Sequence, residues 1–243
     1  MGDEEKQWYE QEEFWKKYPV QKEGTEEIED IIELLDLEPN MDVLDLCCGY
    51  GRHSIELVER GFDVTGVDLT EHYLEYAKER VDEEGLDVEF VHDDMREFKR
   101  DEEFDVVLNI FTSFGFFEDE SENMKVLENV YESLKPDGKF VLDVMGKEII
   151  ARIFKEKDWH ETEDGFVLME RSVERDWTWL SNRRIKITDG DIEEVEFSHW
   201  LYTSKELKDM LENVGFESVK SYGSYDGKPY DENAERLIVI GEK

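Results

Sequence analysis

Short apolar runs alternate with amphipathic segments over residues 41–144, and this alternation restricts the fold of the 243-residue chain more than any other feature. Five apolar runs are predicted strands: 41–46, 62–67, 87–92, 104–110 and 138–144. Three of the segments between them have helical spacing: 52–60, 71–84 and 121–134. Because a parallel strand needs a crossover connection, this order predicts a mostly parallel sheet covered by helices on both faces.

The alternation breaks after residue 146. A short helix and loop are predicted over 147–160, and three segments with period-two alternation follow: 166–176, 179–187 and 191–202. A Thr-Asp-Gly-Asp turn at 188–191 indicates hairpins of antiparallel strands. A helix beginning at Ser204 leads into two closing strands: 216–223 and 236–242. We therefore predict an α/β fold with a doubly wound, mostly parallel seven-stranded sheet and an inserted antiparallel β cap.

The chain is strongly acidic. Its 66 Asp and Glu against 29 Lys and Arg give a net charge of −37, which repels nucleic acid and anionic membranes. No apolar run approaches the roughly 18 residues of a membrane span, and the start of the sequence does not resemble a signal peptide. The only cysteines, Cys47 and Cys48, are adjacent, a poor geometry for a disulfide and an incomplete metal site. We therefore expect a reduced, metal-free cytoplasmic protein that binds neither nucleic acid nor membranes.

One stretch of the sequence indicates a ligand site. Residues 43–54, VLDLCCGYGRHS, run from a buried strand through a glycine turn into a helix. Gly49 and Gly51 let the backbone approach a ligand closely, and the free amides at the start of a helix can contact its polar groups. Asp68 ends the second strand, 19 residues after Gly49, where a carboxylate can accept hydrogen bonds from ribose hydroxyls. The pattern predicts a site for an adenosine-containing ligand.

Four segments in this order resemble the motifs of class I S-adenosylmethionine-dependent methyltransferases: VLDLCCGYGRHS, VTGVDLT, VHDDMREF and VVLNIFTSFGFF. The resemblance covers residues 40–145 and 203–243, the expected cofactor-binding domain. It is closest to the small-molecule branch of that family, in which an antiparallel cap, here 146–202, follows the fifth strand. It implies a Rossmann-like methyltransferase fold, S-adenosyl-L-methionine as the cofactor and transfer of a methyl group to a small-molecule acceptor.

The resemblance implies roles for residues of the first two motifs. Asp45, Gly49 and Gly51 would hold the methionine portion of the cofactor. Asp68 would bind the ribose. The family usually has a glycine at the position of Cys47, so this residue is expected to contribute a backbone contact, or else only to fill the end of the strand.

Further cofactor residues are carried over in the same way. Asp94 and the backbone of Met95 would contact the adenine, and Asn109 would lie beside the reacting sulfur. His53 is expected to line the methionine end of the pocket or to pack the helix. The first 39 residues are predicted to form a helical lid over the cofactor, with Tyr18 as one of its contacts.

Candidate acceptor residues lie in the cap. His199, beside Trp200 in the last cap strand, is the candidate general base, although the sequence favours an exposed strand position over this role. Arg171, Arg183 and Trp177 are the candidate substrate residues. Pairing with cross-strand glutamates is the alternative for the arginines, whereas an arginine facing the cleft would predict an acceptor with a carboxylate.

Two other functions are weighed against methyl transfer. A nicotinamide-dependent oxidoreductase fits less well, because the dinucleotide pattern G-x-G-x-x-G/A is broken by Ser54 and because a pyrophosphate would face the carboxylate of Asp45. A sensor or inactive partner that binds S-adenosylmethionine without turnover stays open. The motifs distinguish neither oxygen, nitrogen and carbon acceptors nor the oligomeric state.

The acidic composition predicts stabilisation by salt, because counterions screen the repulsion between the carboxylates of the folded surface. We expect the midpoint of thermal unfolding to rise from low to multimolar KCl. A midpoint that does not increase with salt would remove the hypothesis that the acidity is an adaptation to a high-salt cytosol.

Overall fold

The computed structural model describes residues 25–162, 165–188 and 191–243. The described helices are α1 (Thr25–Leu35), α2 (Arg52–Glu59), α3 (Glu71–Glu84), α4 (Glu120–Ser133), α5 (Lys147–Ile153) and α6 (Ser204–Val214). The strands are β1 (Asp42–Leu46), β2 (Asp63–Asp68), β3 (Glu89–His92), β4 (Phe104–Asn109), β5 (Leu134–Val144), β6 (Lys157–Thr162), β7 (Gly165–Glu174), β8 (Trp179–Thr188), β9 (Asp191–Trp200), β10 (Glu217–Tyr222) and β11 (Leu237–Glu242). Residues 1–24 of the predicted helical lid lie outside the described residues.

Seven strands form the central sheet, in the order β10-β11-β5-β4-β1-β2-β3. The pairs among β1 to β5 are parallel, and β11 is antiparallel to both β5 and β10. The predicted fold class is therefore confirmed. The chain moves outward from β1 to β3 and then returns to place β4 on the other side of β1, so the strand order reverses between these two neighbours.

The two faces of the sheet bury different side chains because successive residues of a strand point to opposite sides. Leu44 and Leu46 of β1 belong to a core cluster with residues of α4 and α6. Val43, the neighbour of Leu44 that points to the opposite face, belongs to a second cluster with residues of α1 and α2. Helices thus cover both faces, as the near-continuous apolar strands require.

Residues 135–138 lie within β5 but leave its ladder with β4. Phe104 pairs with Leu134 and Val106 pairs with Lys139, so four residues of β5 stand opposite one of β4. Lys135 stabilises the start of this irregularity, because its ammonium donates hydrogen bonds to the carboxylates of Asp42 and Asp105.

The cap is a four-stranded antiparallel sheet in the order β6-β7-β8-β9. Thr188 pairs with Asp191, which confirms the predicted hairpin, although residues 189–190 lie outside the described part of the chain. The prediction of a helix and loop over 147–160 was wrong in its second half, because β6 begins at Lys157. β6 is an edge strand with mostly exposed side chains, so it lacks the apolar alternation by which a strand is recognised.

The two ends of the insertion lie side by side. The amide of Lys147 donates to the carbonyl of Tyr202 at 2.8 Å. The helix α5 thus begins against the last residues before α6, and the cap leaves and rejoins the main sheet at one place. Across the described residues, no helix has both the length and the apolar character needed to cross a membrane.

A capping box begins α6. The side chain of Thr203 accepts a hydrogen bond from the amide of Glu206, and the side chain of Glu206 accepts one from the amide of Thr203. Such a box supplies partners for two backbone donors that the helix leaves unpaired. It also fixes the direction in which the chain returns from the cap to the sheet.

Replacing this capping side chain should destabilise the protein. We expect Thr203→Ala to lower the free energy of unfolding by about 1 kcal/mol, measured by urea denaturation with an unchanged dependence on urea concentration. The neighbouring substitution Ser204→Ala, which removes no capping bond, is the control and should change stability by less than about 0.5 kcal/mol. Equal effects of the two substitutions would contradict this account.

Candidate functional site

The carboxyl ends of β1 and β4 define the site. These strands are neighbours, but their crossover connections lead to opposite sides of the sheet, which leaves a crevice between them. Such a reversal point is where open α/β sheets bind ligands. The crevice is lined in large part by the residues that follow the two strands, Cys47 to Tyr50 and Ile110 to Ser113.

Three cavities adjoin at this edge, and all three are lined by Phe111. The first, of about 380 Å³, lies over the glycine turn. The second, of about 460 Å³, lies over the ends of β2 and β3. The third, of about 620 Å³, separates the sheet edge from the cap. We call them the turn cavity, the strand cavity and the cap cavity.

Asp45 is a buried carboxylate in the wall of the turn cavity. It is 2% exposed and accepts a hydrogen bond of 2.6 Å from the hydroxyl of Ser54. Burial raises the pKa of Asp45, although His53, Ser54 and Arg52 oppose the shift. No side chain of the described residues forms an ion pair with it within 4 Å. A carboxylate placed in this way gains from a cation bound in the cavity, such as an ammonium group.

The two glycines of the turn differ in what they contact. A Cβ added to Gly49 meets no atom within 4 Å, so a side chain there would project into open space beside the two cavities that this residue lines. A Cβ on Gly51 would lie 2.9 Å from Ala77 Cβ and from Phe90 Cζ. Gly51 therefore permits close packing of α2 against α3 and β3, and it lines none of the three cavities.

Asp68 lies in the wall of the strand cavity and is held by backbone amides. Its carboxylate accepts hydrogen bonds from Gly49 at 2.9 Å and from Thr70 at 2.8 Å. Burial raises the pKa of Asp68, and these amide bonds oppose the shift. The carboxylate therefore ties the glycine turn to the end of β2 and faces the same cavity as Tyr73.

Asp94 and Met95 also line the strand cavity. Burial favours a raised pKa for Asp94, but hydrogen bonds from the side chain and the backbone of Arg96 bring the pKa below its usual value. The Arg96 guanidinium lies over the ring of Phe117 at 4.3 Å. Arg96 and Phe117 were not predicted as site residues. Two sequence features could have indicated them: Arg96 directly follows the predicted site residue Met95, and Phe117 lies in the aromatic run after β4.

Cys47 occupies a glycine-like conformation with φ of 66°. Its thiol lies 3.6 Å from the sulfur of Met95, and the residue lines both the turn and the strand cavities. Burial raises the pKa of the thiol well above its usual value, so it is neutral. The side chain is therefore accommodated beside Met95.

Asn109 and His53 lie at different depths. Asn109 is fully buried, donates to the carbonyl of Leu46 at 3.1 Å and lines none of the three cavities. His53 lines the turn cavity, with its Nε2 3.7 Å from Glu27 Oε2 and its ring 5.5 Å from that of Phe111. Tyr18 lies outside the described residues.

Asp143, at the end of β5, holds the junction of the cavities. This fully buried carboxylate accepts hydrogen bonds from the amide of Phe111 at 2.8 Å, from the hydroxyl of Tyr225 at 2.7 Å and from the guanidinium of Arg236 at 2.7 Å. Phe111 and Thr112 both have φ of 60°, a strained conformation for residues with a side chain. The Asp143 bonds therefore fix the backbone where the three cavities meet.

His199 faces the cap cavity and is buried, with 6% of its surface exposed. Its ring stacks on Phe116 at 5.5 Å. Burial, together with the charge of Arg184, lowers the pKa of His199 to about 4. The imidazole is therefore neutral near pH 7, when it can accept a proton.

The three predicted substrate residues are placed differently. Arg171 lines the cap cavity, where it donates to the carbonyl of Lys155 and to the sulfur of Met169. Arg183 lies outside that cavity, and its guanidinium pairs with three glutamates: Glu170, Glu194 and Glu196. Trp177 also lies outside it, 40% exposed, against the ring of Phe154.

Comparisons with known proteins agree with this geometry. Residues 43–138 match the family model described as a methyltransferase domain. The putative methyltransferase YqeM of Bacillus subtilis is 26% identical over 207 residues, 83% of each chain. Glycine/sarcosine N-methyltransferase of Aphanothece halophytica is 28% identical over 204 residues, which cover 83% of this chain and 76% of that protein. The chain carries a methyltransferase domain.

The fold of this methyltransferase is also that of a solved relative. The crystal structure of an S-adenosylmethionine-dependent methyltransferase from Clostridium acetobutylicum matches it with a TM-score of 0.80 and 19% identity, covering 95% of each chain. The match over residues 43–138 confirms the predicted methyltransferase, and the structural match confirms its predicted fold.

The low pKa of His199 predicts a pH-dependent contribution to the stability of the methyltransferase. Below about pH 6.5 the imidazole of the unfolded chain takes up a proton, whereas in the folded protein it stays neutral until about pH 4. The contribution is therefore complete above pH 6.5 and is lost as the pH falls towards 4. We expect the difference in free energy of unfolding between the wild type and His199→Gln to be constant above pH 7 and to shift against the wild type below it. A difference that is constant from pH 4 to 7.5 would contradict this.

Proposed function

We propose that this methyltransferase transfers a methyl group to a small molecule bound in the cap cavity. The observation that carries the proposal is the position of Phe111, where the turn and strand cavities meet the cap cavity. Two ligands that occupy the two sides would approach each other there. A volume of about 620 Å³ is within the range of small-molecule pockets, and a related protein is named for the small molecules glycine and sarcosine.

The turn and strand cavities are proposed to hold the cofactor. In the turn cavity, the carboxylate of Asp45 would face the methionine ammonium, and Gly49, the Cys47 backbone and His53 would line the same group. Asp45 fits this role because it is buried beside the cavity without a side-chain ion pair among the described residues. The open space in front of Gly49 fits as well, since a side chain would occupy it.

In the strand cavity, Asp68 would accept hydrogen bonds from the ribose hydroxyls, and Asp94 with Met95 would border the adenine. Residues 40–145 and 203–243 then form the cofactor-binding domain and 146–202 the cap over the acceptor, whereas α1, within the predicted lid 1–39, packs against one face of the sheet. Gly51 and Asn109 are not among the proposed cofactor contacts. Gly51 packs against α3 and β3, and Asn109 joins β4 to the end of β1 by a hydrogen bond.

Methyl transfer requires the protein mainly to align the acceptor with the methyl group and, for a protonated acceptor, to remove a proton. S-adenosylmethionine supplies a methyl group already activated by a positively charged sulfur. Phe111 and Phe116 line both the strand and the cap cavities and would keep water from the reacting atoms. By holding the acceptor atom in line with the methyl group and the sulfur, the walls of the cavity would supply much of the rate acceleration. His199, neutral near pH 7, is placed to take a proton from an acceptor that arrives protonated.

A small-molecule acceptor is favoured over a polymer. The net charge of −37 opposes binding to nucleic acid. The four-stranded cap forms one wall of the cavity, which restricts the space for a polymer. Free Cys47 and Cys48 are compatible with the reducing cytoplasm as the compartment.

The cofactor assignment is tested by calorimetric titration with S-adenosylhomocysteine. We expect Asp68→Asn to weaken binding by about tenfold or more, because hydrogen bonds to a charged group are worth about 1.5–3 kcal/mol each. Asp63→Asn, at the exposed start of the same strand, is the matched control and should bind as the wild type does. Unfolding midpoints of both variants show whether each is folded.

Wild-type affinity in a folded Asp68→Asn would contradict the assignment. Turnover is tested separately, with cofactor labelled on the methyl group and a mixture of small metabolites. Tight binding with no transfer to any component would favour the sensor over the enzyme proposed here.

A further inference from the structure

The wall of the cap cavity has the opposite charge to the rest of the protein. In a chain with a net charge of −37, the described part of the cavity wall has one carboxylate, Asp158, and four cationic side chains: Lys155, Arg171, Arg184 and Arg236. Low-dielectric walls around such a group of cations concentrate the positive field inside the cavity. An anion would therefore be drawn into this cavity although the outer surface repels it.

Arg236 is fixed at the end of the cavity nearest the cofactor side. Its Nε and Nη2 donate to the two carboxylate oxygens of Asp143, and Nη2 also donates to the hydroxyl of Thr112 at 3.1 Å. Nη1 takes no part in these bonds. The guanidinium lies over the ring of Phe111 with 5.5 Å between its centre and the ring centroid. A group bound to Arg236 would thus lie next to the junction of the cavities.

The cap contributes the facing wall through alternate residues of two paired strands. Asn182 and Arg184 of β8 line the cavity with His199 of β9. The Arg184 guanidinium lies over the Phe197 ring at 5.0 Å. Asn182 Nδ2 and His199 Nδ1 are both buried and have no hydrogen-bond partner among the described residues. Buried polar atoms of this kind are costly unless a ligand supplies the partner.

We infer that the methyl acceptor carries a carboxylate on an apolar body, with the carboxylate bound between Arg184 and Arg236 and the Asn182 amide as a further donor. This inference rests on the proposed function and names its acceptor. The apolar body is required by the other lining side chains, including Ile150, Phe154 and Leu180. Guanidinium groups bind carboxylates through paired hydrogen bonds, which gives both affinity and orientation.

A carboxylate fits the charge balance better than a phosphate ester does. Arg236 pairs with Asp143, and Lys155 pairs with Asp158 at 3.0 Å. In a largely apolar cavity a singly charged group is favoured over a doubly charged one, because each additional negative charge adds a desolvation cost.

The inference is tested by calorimetry on the full-length protein saturated with S-adenosylhomocysteine. The probes are 3-phenylpropanoate, its neutral isostere 3-phenylpropanamide, and phenyl phosphate. We expect the acid to bind at least about tenfold more tightly than the amide, as for one well-placed charge-assisted contact. In Arg184→Gln the preference should fall below about threefold, and in Arg184→Lys, which keeps the charge without the planar fork, it should be intermediate.

Arg183→Gln is the matched control, because Arg183 is the adjacent residue of the same strand and lies outside the cavity. It should keep the full preference for the acid. Equal binding of acid and amide, an unchanged preference in folded Arg184→Gln, or failure of both probes to bind would overturn the inference. Tighter binding of phenyl phosphate than of 3-phenylpropanoate would overturn it in favour of a phosphate ester. Failure of S-adenosylhomocysteine itself to bind would instead count against the proposed function.

Discussion

The buried carboxylate of Asp143 is the contact on which the arrangement of the site depends. It joins three separate parts of the chain: the backbone after β4, the Tyr225 hydroxyl and the Arg236 guanidinium. Removing one partner of a buried charged pair leaves the other without compensation, a cost of several kcal/mol. The strained conformation of Phe111 and Thr112 persists because these bonds define it. One carboxylate thus fixes both the residue that separates the cavities and the cation beside them.

This arrangement links the two halves of the proposed reaction. The amide of Phe111 and the guanidinium of Arg236 both donate to the carboxylate of Asp143, so the wall of the cofactor side and a binding group of the acceptor side share one support. A displacement of a reacting group by 1 Å can greatly reduce a rate that depends on alignment. A shared support keeps the distance between the two sides constant, even though one side belongs to the sheet and the other includes the cap.

Much of the fold and part of the site could be predicted because they depend on local pattern. Apolar strands and helical spacing indicated the seven-stranded sheet. The position of Asp45 and Asp68 beside neighbouring cavities could be predicted because the ends of parallel strands meet at one edge. β6 was missed because an exposed edge strand has no apolar alternation. Gly51 shows the limit of motif reading: its glycine character serves packing against Ala77 and Phe90, which only the tertiary structure reveals.

The acceptor side depends on strand register, which the sequence leaves undetermined. Arg183 and Arg184 are neighbours in β8, so one must face the cavity and the other must not, and a shift by one residue exchanges them. The observed register places Arg183 among glutamates and Arg184 in the cavity. Arg236 was not predicted because its position comes from the antiparallel return of β11, far from any motif.

The hydrogen bond between Lys147 and Tyr202 has a consequence for how such an enzyme can change its specificity. Because the insertion leaves and rejoins the main sheet at one point, a cap of different length or strand number can replace it without altering the pairing of β5 with β11. Closing a longer loop at that point adds little entropy cost, since the cost grows only with the logarithm of its length. Acceptor preference can therefore evolve as an exchangeable module on an unchanged cofactor-binding sheet.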